Sequence, residues 1–364
     1  MKKEDTLLKL VLIIVILVIF PLIFLVSYIV EPKLYFDPNY SDSLGQNLHS
    51  AADIPIGVAV NSFQLRYNQK YRNVLAYHFD CVTPENEMKM EFLAPAKDVY
   101  RWSEADLIVD FAERIGAEVI GHTLICDTQL PSWVYSFSGN QTEWKNMLKS
   151  YIQTVVGHYK GRIKTWIVVN EAIEDEGFKD TIWYEKIGVE YFNDAFRWAY
   201  EADPNASLFY NDYGLCNDPS KLDSVLNIIN SSITQGVPIH GIGFQTHISL
   251  FFNDPTNTTI QMALQKAEAL NLSLRVTELD IESNPDNNYN YLTPAMSQSQ
   301  KQRYQEVVSL FLNSSKTIGI TVWGVSDACS WKNTPTHPDW PLLFDENYAP
   351  KPAAEGFLNA LLSS

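Results

Sequence analysis

The sequence predicts a (β/α)8 barrel, the TIM-barrel fold, formed by one domain. Three observations support this fold class. Eight short apolar runs alternate with helical stretches, as in a parallel barrel. Polar residues follow most of these runs, at the strand ends where such barrels carry their functional sites. The 364 residues are 46% hydrophobic and 19% charged, a composition that supports one large core.

The predicted strands are short and rich in apolar and β-branched residues, as buried parallel strands usually are. They span Pro55–Val60, Phe79–Thr83, Ala117–Thr123, Ile163–Asn170, Ser207–Asn211, Ile239–Thr246, Ser273–Glu278 and Ile318–Trp323. The helical stretches are Ser103–Ile115, Thr142–Tyr159, Tyr184–Glu201, Pro219–Thr234, Thr259–Leu270, Ser297–Leu312 and Lys351–Leu361. Ser103 and Thr142 are residue types that favour helix starts. This alternation assigns residues 54–364 to the barrel.

The N-terminus contains an uncharged apolar segment, Leu10–Val30. Its 21 residues suffice to cross a membrane and exceed the apolar part of a usual signal peptide. Lysines are more numerous before it than directly after it, which predicts a cytoplasmic tail at residues 1–9 and a transmembrane signal-anchor at 10–30. Residues 31–53 are interpreted as a stalk. The sequence thus predicts a membrane-anchored protein with an extracellular domain, or a secreted protein if the segment is cleaved.

Composition limits the partners. The net charge of −16 disfavours nucleic acid and anionic membrane surfaces and is compatible with a neutral substrate. Aromatic residues make up 13% of the chain, including nine Trp, and flat aromatic faces suit sugar rings. The sequence contains no zinc or phosphate-binding motif, so no metal or cofactor is expected. We expect a monomer.

Cysteines and sequons also indicate export. Four cysteines would allow two disulfides outside the cell. Cys81 and Cys126 lie near the ends of neighbouring predicted strands, and we hypothesise that they pair. The alternative is two small apolar core thiols. A glycoprotein is predicted from seven N-x-Ser/Thr sequons, which begin at Asn39, Asn140, Asn205, Asn230, Asn257, Asn271 and Asn313.

Polar side chains end seven of the eight predicted strands. In a parallel barrel these ends meet at one face. Burying so many polar groups without a use for them costs stability, so the pattern indicates a functional site. The residues are Glu85, Asn86, His122, Asn170, Glu171, Asn211, Asp212, Tyr213, Gln245, His247, Glu278, Asp280 and Trp323.

Two carboxylates of this set, Glu171 and Glu278, follow the fourth and seventh strands and face each other across the predicted barrel mouth. Such a pair suits hydrolysis of a glycosidic bond, because one group protonates the leaving oxygen and the other attacks the anomeric carbon or activates water. A separation of about 5 Å would mean retention and about 6.5 Å or more would mean inversion, a choice that the sequence leaves open.

Neighbouring residues suit the same chemistry. The amide of Asn170 can hydrogen-bond a sugar 2-hydroxyl. His247 can hold Glu278, and Asp280 can hold His247, which would keep Glu278 ionised. Alternatively, His247 is a structural histidine and Asp280 caps a turn. Trp323 and Trp331 could form two walls against which sugar rings pack. Alternatively, both are core residues.

From Ile56 to Phe357 the sequence resembles glycoside hydrolase family 10, the β-1,4-xylanases. The resemblance rests on the order and spacing of nine motifs. They are Phe79–Met90, Gly121–Leu124, Gln129–Trp133, Val168–Ala172, Phe209–Tyr213, Gly241–His247, Val276–Asp280, Thr321–Asp327 and Pro341–Asp345. The resemblance implies a retaining enzyme that cleaves internal bonds of xylan by double displacement.

The resemblance also implies residue roles, with Glu171 as acid/base and Glu278 as nucleophile. Substrate-binding roles fall to residues in four groups. Glu85, Asn86 and Lys89 bind the second sugar on the non-reducing side, and His122, Asn170 and Gln245 hold the attacked sugar. Tyr213 is a platform on the leaving-group side, and Trp323 and Trp331 cover the non-reducing side. Gln129 is a further substrate-binding residue.

Three positions depart from the family pattern. Cys126 and Asp127 stand where the family usually has Trp and His, and Ile167 stands where it has Asp. We interpret Asp127 and Ile167 as a coupled replacement, and we expect the loss of the indole to widen the pocket. Two alternatives follow: a related β-1,4-glycosidase of altered specificity, and a surface carbohydrate-binding pseudoenzyme, which the presence of both glutamates disfavours.

Overall fold

The computed structural model describes residues 34–251 and 255–363. The predicted barrel of eight parallel strands is confirmed. The strands of this part of the chain are β1 (Ile56–Val60), β2 (Cys81–Pro84), β3 (Glu118–Ile125), β4 (Thr165–Asn170), β5 (Ile173–Glu174), β6 (Gly177–Phe178), β7 (Ser207–Asp212), β8 (Gly241–Phe244), β9 (His247–Ser249), β10 (Ser273–Glu282) and β11 (Thr317–Val322). The barrel order is β1–β2–β3–β4–β7–β8–β10–β11, and β11 pairs with β1 to close it.

Helices surround the barrel. They are α1 (Ser62–Tyr67), α2 (Gln69–His78), α3 (Met90–Leu93), α4 (Ser103–Ile115), α5 (Ser132–Tyr135), α6 (Gln141–His158), α7 (Ile182–Ile187), α8 (Glu190–Ala202), α9 (Pro219–Thr234), α10 (Asn257–Glu268), α11 (Pro294–Leu312) and α12 (Pro352–Leu361). Short 3₁₀ helices lie at His49–Ala51 and Asp327–Cys329.

The barrel interior is filled with apolar side chains. Cys81, Ile120, Ile167 and Phe209, from four neighbouring strands, form one cluster in which each residue is at most 2% exposed. Removing an aliphatic or aromatic side chain of this size from water contributes about 1.5–3 kcal/mol. The packed interior fixes the strands, so the side chains at their ends are held on a rigid frame.

An interruption after β8 places His247 in the site. β8 ends at Phe244, Thr246 adopts a positive φ of 62°, and the chain then rejoins the sheet as β9 beside β10. In this register His247 lies opposite Asp280. The predicted single strand Ile239–Thr246 is therefore shorter than expected, because the chain turns where the site begins.

Several helix boundaries differ from the prediction by one to three residues, and one predicted helix is divided in two. The predicted helix Tyr184–Glu201 is divided into α7 and α8 at Gly188, whose φ of 87° is available to glycine but interrupts a helix. The helix predicted to start at Thr142 is α6, capped by Asn140 in a reciprocal pair of bonds with Glu143. The helices α1 and α2 were not predicted, because both are short and begin after asparagines that also suit loops.

The predicted stalk, residues 31–53, is corrected for residues 36–53. This segment packs against α2 and α4. Asp42 pairs with buried His78 at 2.8 Å, Leu48 is fully buried, and the rings of Phe36 and Phe111 are 6.0 Å apart. The apolar residues of the segment are irregularly spaced, so no periodicity indicated their burial. The barrel domain therefore begins before residue 54.

The localisation prediction is also corrected. Across residues 34–251 and 255–363, no helix is both long and apolar enough to cross a membrane. The predicted segment Leu10–Val30 and the tail at residues 1–9 lie outside the described residues. All seven sequon asparagines are exposed, and their glycosylation stays a prediction.

The hypothesised disulfide between Cys81 and Cys126 is wrong, since neither of these two cysteines forms a disulfide. Cys81 begins β2 and lies opposite Glu118, the first residue of β3, whereas Cys126 follows the last residue of β3. At about 3.3 Å of rise per residue, the two thiols lie at opposite ends of the barrel. Cys81 is instead a core thiol.

Candidate active site

Glu171 stands at the end of β4. It adopts a left-handed backbone conformation with a φ of 56°, and its N–H donates to the carbonyl of Asn211 at 3.0 Å. Its Oε1 accepts hydrogen bonds from Asn170 Nδ2 at 3.0 Å and from Gln245 Nε2 at 2.8 Å. Two neutral amides thus fix one oxygen of this half-buried carboxyl group.

Glu278, on β10, is 5% exposed. Its Oε1 accepts from Asn211 Nδ2 at 2.7 Å, and its Oε2 lies 3.3 Å from His247 Nε2. Burial opposes ionisation, but the contacts with His247 and Asn211 outweigh it and hold the pKa of Glu278 below its ordinary value. Glu278 is therefore a carboxylate at neutral pH.

Two further charged side chains, His247 and Asp280, support Glu278. His247 Nδ1 lies 3.0 Å from Asp280 Oδ2, and Trp331 Nε1 donates to the same oxygen at 2.8 Å. Although burial opposes a charged ring, Asp280 and then Glu278 raise the pKa of His247 to about 10. His247 is thus a cation between two carboxylates, and the ring of Trp331 is fixed to the same group.

Asn211 connects the two glutamates. Its Nδ2 donates to Asn170 Oδ1 at 2.8 Å as well as to Glu278, and its Oδ1 accepts from Thr277 Oγ1 at 2.6 Å. Because Asn170 also contacts Glu171, a continuous chain of hydrogen bonds joins the two carboxyl groups. The sequence placed Asn211 at a polar strand end but suggested no role for it.

A second polar group follows β2. Lys89 Nζ donates to Asn86 Oδ1 at 3.1 Å and to Gln129 Oε1 at 2.6 Å, and Gln129 Nε2 donates to Asn86 at 2.9 Å. Burial, with the nearby charge of Glu87, raises the pKa of Glu85 to about 7, against the opposing effect of Lys89. This group offers hydrogen-bonding atoms and one carboxyl that changes charge near neutral pH.

Tyr213 forms an exposed platform after β7. Tyr213 is 38% exposed, and its hydroxyl donates to Glu174 Oε1 at 3.0 Å. Lys221 Nζ lies 3.2 Å from the ring centroid and 2.8 Å from Asp212 Oδ1, while the Tyr210 hydroxyl donates to Asp212 Oδ2. Burial raises the pKa of Asp212 to about 7, although Lys221 opposes the shift. The ring of Tyr213 is therefore held in place by the ammonium group of Lys221 and by the hydrogen bond from its hydroxyl to Glu174.

His122 and Trp323 form the buried wall of the site. Their rings meet edge-on, with centroids 5.4 Å apart, and the two residues are 3% and 7% exposed. Burial lowers the pKa of His122 to about 4, despite the opposing charge of Glu278. His122 is thus neutral and able to donate or accept one hydrogen bond. Trp331, at 51% exposure, borders the same space from the open side.

One cavity of about 510 Å³ unites these groups. The predicted site residues that line it are Lys89, His122, Gln129, Asn170, Glu171, Tyr213, Gln245, His247, Glu278, Trp323 and Trp331. The predicted residues outside the lining are Glu85, Asn86, Asn211, Asp212 and Asp280. The lining also includes Cys126, Thr128, Gly214 and Asn217, to which the sequence assigned no binding role.

Residues 43–360 match the model of glycosyl hydrolase family 10. The chain belongs to this family. A β-1,4-xylanase of Dictyoglomus thermophilum is 40% identical over 309 residues, which cover 82% of this chain and 86% of that protein. The endo-1,4-β-xylanase B of Paenibacillus barcinonensis is 38% identical over 316 residues, covering 83% and 93%.

Solved structures of family 10 members agree with the barrel. The native xylanase 10B of Thermotoga maritima has a TM-score of 0.82 and 35% identity, and the match covers 87% of this chain and 98% of that one. A variant of xylanase 10C of Cellvibrio japonicus, in complex with xylopentaose, has a TM-score of 0.84 and 33% identity, covering 89% and 70%.

Two of the departures from the family 10 pattern lie beside Glu171. Cys126 Sγ is 3.7 Å from Asn170 Nδ2 and 3.3 Å from Thr128 Oγ1, and it lines the cavity where the family has an indole. Asp127 pairs with Lys179 at 2.9 Å, and Lys179 follows β6 in the loop that leaves Glu171. Cys126 thus forms the part of the cavity wall beside Asn170.

The interpretation of Asp127 and Ile167 as coupled replacements is not supported. Asp127 has its own cationic partner, Lys179, in the loop after β4. Ile167 belongs to the apolar cluster inside the barrel and is 1% exposed. Each substitution is accommodated by its own surroundings, one polar and one apolar.

One cluster outside the cavity has ligand-type side chains: Glu282, His337 and Asp339. Asp339 Oδ1 accepts from the N–H and hydroxyl of Ser283, each at 2.8 Å, and Oδ2 accepts from the N–H of Asn284 at 3.1 Å. His337 Nε2 lies 2.7 Å from the carbonyl of Asn284. These contacts make the cluster an anchor for the loop after β10.

Proposed function

We propose that this family 10 hydrolase cleaves internal β-1,4-xylosidic bonds of xylan by double displacement, with Glu278 as nucleophile and Glu171 as acid/base. The observation that carries the proposal is the pairing of an ionised, buried Glu278 with Glu171 through Asn170 and Asn211 in one cavity. The xylanases to which the chain is similar support xylan as the substrate.

In the first step, Glu278 attacks the anomeric carbon while Glu171 protonates the leaving glycosidic oxygen. The bond to the leaving sugar breaks as the glycosyl–Glu278 ester forms. The hydrogen bonds from Asn211 and His247 hold Glu278 ready for attack, and they cost no reorganisation at the moment of reaction.

In the second step, Glu171 removes a proton from water, and the water oxygen attacks the anomeric carbon. The ester breaks, Glu278 is released as a carboxylate, and Glu171 carries the proton again. Two inversions give a product with retained configuration.

The surrounding residues receive binding roles in this proposal. The attacked sugar is held by His122, Asn170 and Gln245. The next sugar on the non-reducing side is held by Glu85, Asn86, Lys89 and Gln129, and that side is covered by Trp323 and Trp331. Tyr213 supports the leaving-group side. Asn170 suits the 2-hydroxyl because its amide lies beside Glu171. His247 and Asp280 are positioning residues for Glu278. A monomer acting on a polysaccharide, without metal or cofactor, remains the expectation.

A second function, cleavage of related β-1,4-glycosides or decorated oligosaccharides, is favoured by one observation. Cys126 replaces an indole in the cavity wall beside Asn170, and the resulting space admits a bulkier sugar. Aryl β-xylobioside, β-cellobioside and β-glucoside separate the two functions. A preference for xylobioside supports xylanase activity, and Cys126→Trp should strengthen that preference.

Product analysis on xylan tests the main proposal. The wild type should release a series of xylo-oligosaccharides with a rapid fall in viscosity, whereas Glu278→Ala should release none. Absence of reducing sugar from the wild type on xylan and on all the aryl glycosides would instead support a binding-only protein.

A further inference from the structure

We infer that Phe63 and Tyr67 on α1 form an additional sugar platform. It extends the substrate cleft, of which the cavity around Glu171 and Glu278 is the centre, on the non-reducing side. The platform lies beyond the sugar bound by Glu85, Asn86, Lys89 and Gln129, which we call the Glu85 group. The inference rests on the proposed function. Its ligand is a xylan chain with three or more sugars on the non-reducing side of the cleaved bond.

The two rings form one exposed apolar patch. Phe63 and Tyr67 are 63% and 69% exposed, and their centroids are 5.0 Å apart. They lie at i and i+4 on one face of α1, so both rings are presented together. Single exposed aromatic residues are ordinary, but a contacting pair of this exposure indicates a binding surface.

The patch adjoins the non-reducing end of the cleft. α1 begins directly after β1, at the face of the barrel where the strands end. Asn61, its N-cap, accepts from the N–H of Phe63 and hydrogen-bonds the side chain of Glu85, and the N–H of Glu85 donates to the carbonyl of Val60. A chain that leaves the Glu85 group along the cleft therefore reaches α1 next.

The helix is held firmly from its inner side. Leu65 is fully buried, and the guanidinium of Arg72 donates to the carbonyls of Leu65 and Arg66 at 2.8 and 3.2 Å. Asn68 Nδ2 donates to the Tyr348 hydroxyl at 2.8 Å. The rings thus stand on a fixed support, and sugar binding requires little ordering of the protein.

The charges around the patch favour a neutral ligand. The nearest cation on α1, Arg66, is paired with Glu104 at 2.8 Å. The whole chain has a net charge of −16, which disfavours an anionic polymer. Xylose rings are neutral and offer C–H faces to aromatic rings, so unsubstituted xylan fits this surface.

The test uses aryl glycosides of different length with one 4-nitrophenyl leaving group. The xylobioside fills two sugar positions, and the xylotetraoside extends over α1. The wild type should show a kcat/KM for the tetraoside roughly three- to tenfold above that for the bioside, and the double variant Phe63→Ala, Tyr67→Ala should lower this ratio to about one. The bioside kcat/KM should stay unchanged, which also reports correct folding.

Tyr200→Ala is the matched control, because Tyr200 is a 42% exposed aromatic residue on α8, away from the cleft, and its loss should leave the ratio unchanged. A wild-type ratio of one, or a double variant that keeps the wild-type ratio, would overturn the inference while leaving xylanase activity intact. A wild type inactive on both xylosides would overturn the proposed function as well.

Discussion

The two carboxyl groups proposed as catalytic in this family 10 hydrolase have contrasting surroundings. Glu278 is buried, and a cationic His247 backed by Asp280 holds it ionised. Glu171 is half-buried and is held by the neutral amides of Asn170 and Gln245. The positions that depart from the family pattern, Cys126 and Asp127, both lie on the Glu171 side.

This difference follows the proposed chemistry. A nucleophile must stay charged, so a nearby cation helps it, whereas an acid/base must gain and lose a proton, so neutral hydrogen bonds suit it. Substitutions close to Glu171 change the shape and charge of the sugar pocket and leave the support of Glu278 untouched. We therefore expect the departures to alter specificity more than the type of reaction.

The largest effect is expected from Glu278→Ala, which removes the attacking oxygen. Activity on aryl xylobioside should fall roughly 10⁴-fold or more. Azide should restore turnover and give a glycosyl azide of inverted configuration, because the small anion attacks in place of the carboxylate. The anomeric configuration by NMR reports this, and a retained azide product would assign Glu278 a different role.

Glu171→Ala should have a large effect that depends on the substrate. Xylan hydrolysis should fall roughly 10²- to 10⁴-fold, because its leaving group needs a proton. The first step on a 2,4-dinitrophenyl xylobioside should be nearly normal, and azide should give a retained product. Equal losses on the two substrates would contradict the acid/base assignment.

His247→Gln should have an intermediate effect of roughly ten- to a hundredfold on kcat/KM, with a change in pH dependence. The pKa of His247 is about 10, so its cation is present through neutral pH and lowers the pKa of Glu278. Removing it raises the pKa of Glu278, and the acid limb of the kcat/KM profile should move to higher pH. His158→Gln, in a His–Asp pair on the surface, is the control and should leave the limb in place.

The smallest effect is expected at the pair of Asp127 and Lys179. Both side chains are partly exposed, and such pairs contribute little to stability, about 0–1 kcal/mol. Asp127→Asn and Lys179→Met should each change KM for long xylo-oligosaccharides roughly two- to fivefold, with thermal stability nearly constant. If the double variant changes KM no more than either single variant does, the two residues act as a pair. If the changes in KM multiply in the double variant, the two residues have independent roles.

The sequence predicted the features that depend on local pattern. Eight apolar runs identified the barrel strands, and polar strand ends such as Asn170-Glu171 and Glu278 pointed to residues that the structure brings together in one cavity. Asn211, Lys179 and the packing of residues 36–53 depend on contacts between segments distant in the chain. The division of the predicted helix at Gly188 depends on one left-handed residue, which the surrounding helical pattern concealed.

Covalent trapping tests the central claim, that Glu278 is the nucleophile of a retaining mechanism, most directly. The enzyme is incubated with 2,4-dinitrophenyl 2-deoxy-2-fluoro-β-xylobioside, whose fluorine slows both steps while the good leaving group keeps the first step fast. Mass spectrometry should find one fluoroxylobiosyl group per chain, on the peptide that contains Glu278. A label on another residue, or release of dinitrophenol without any covalent adduct, would contradict the account.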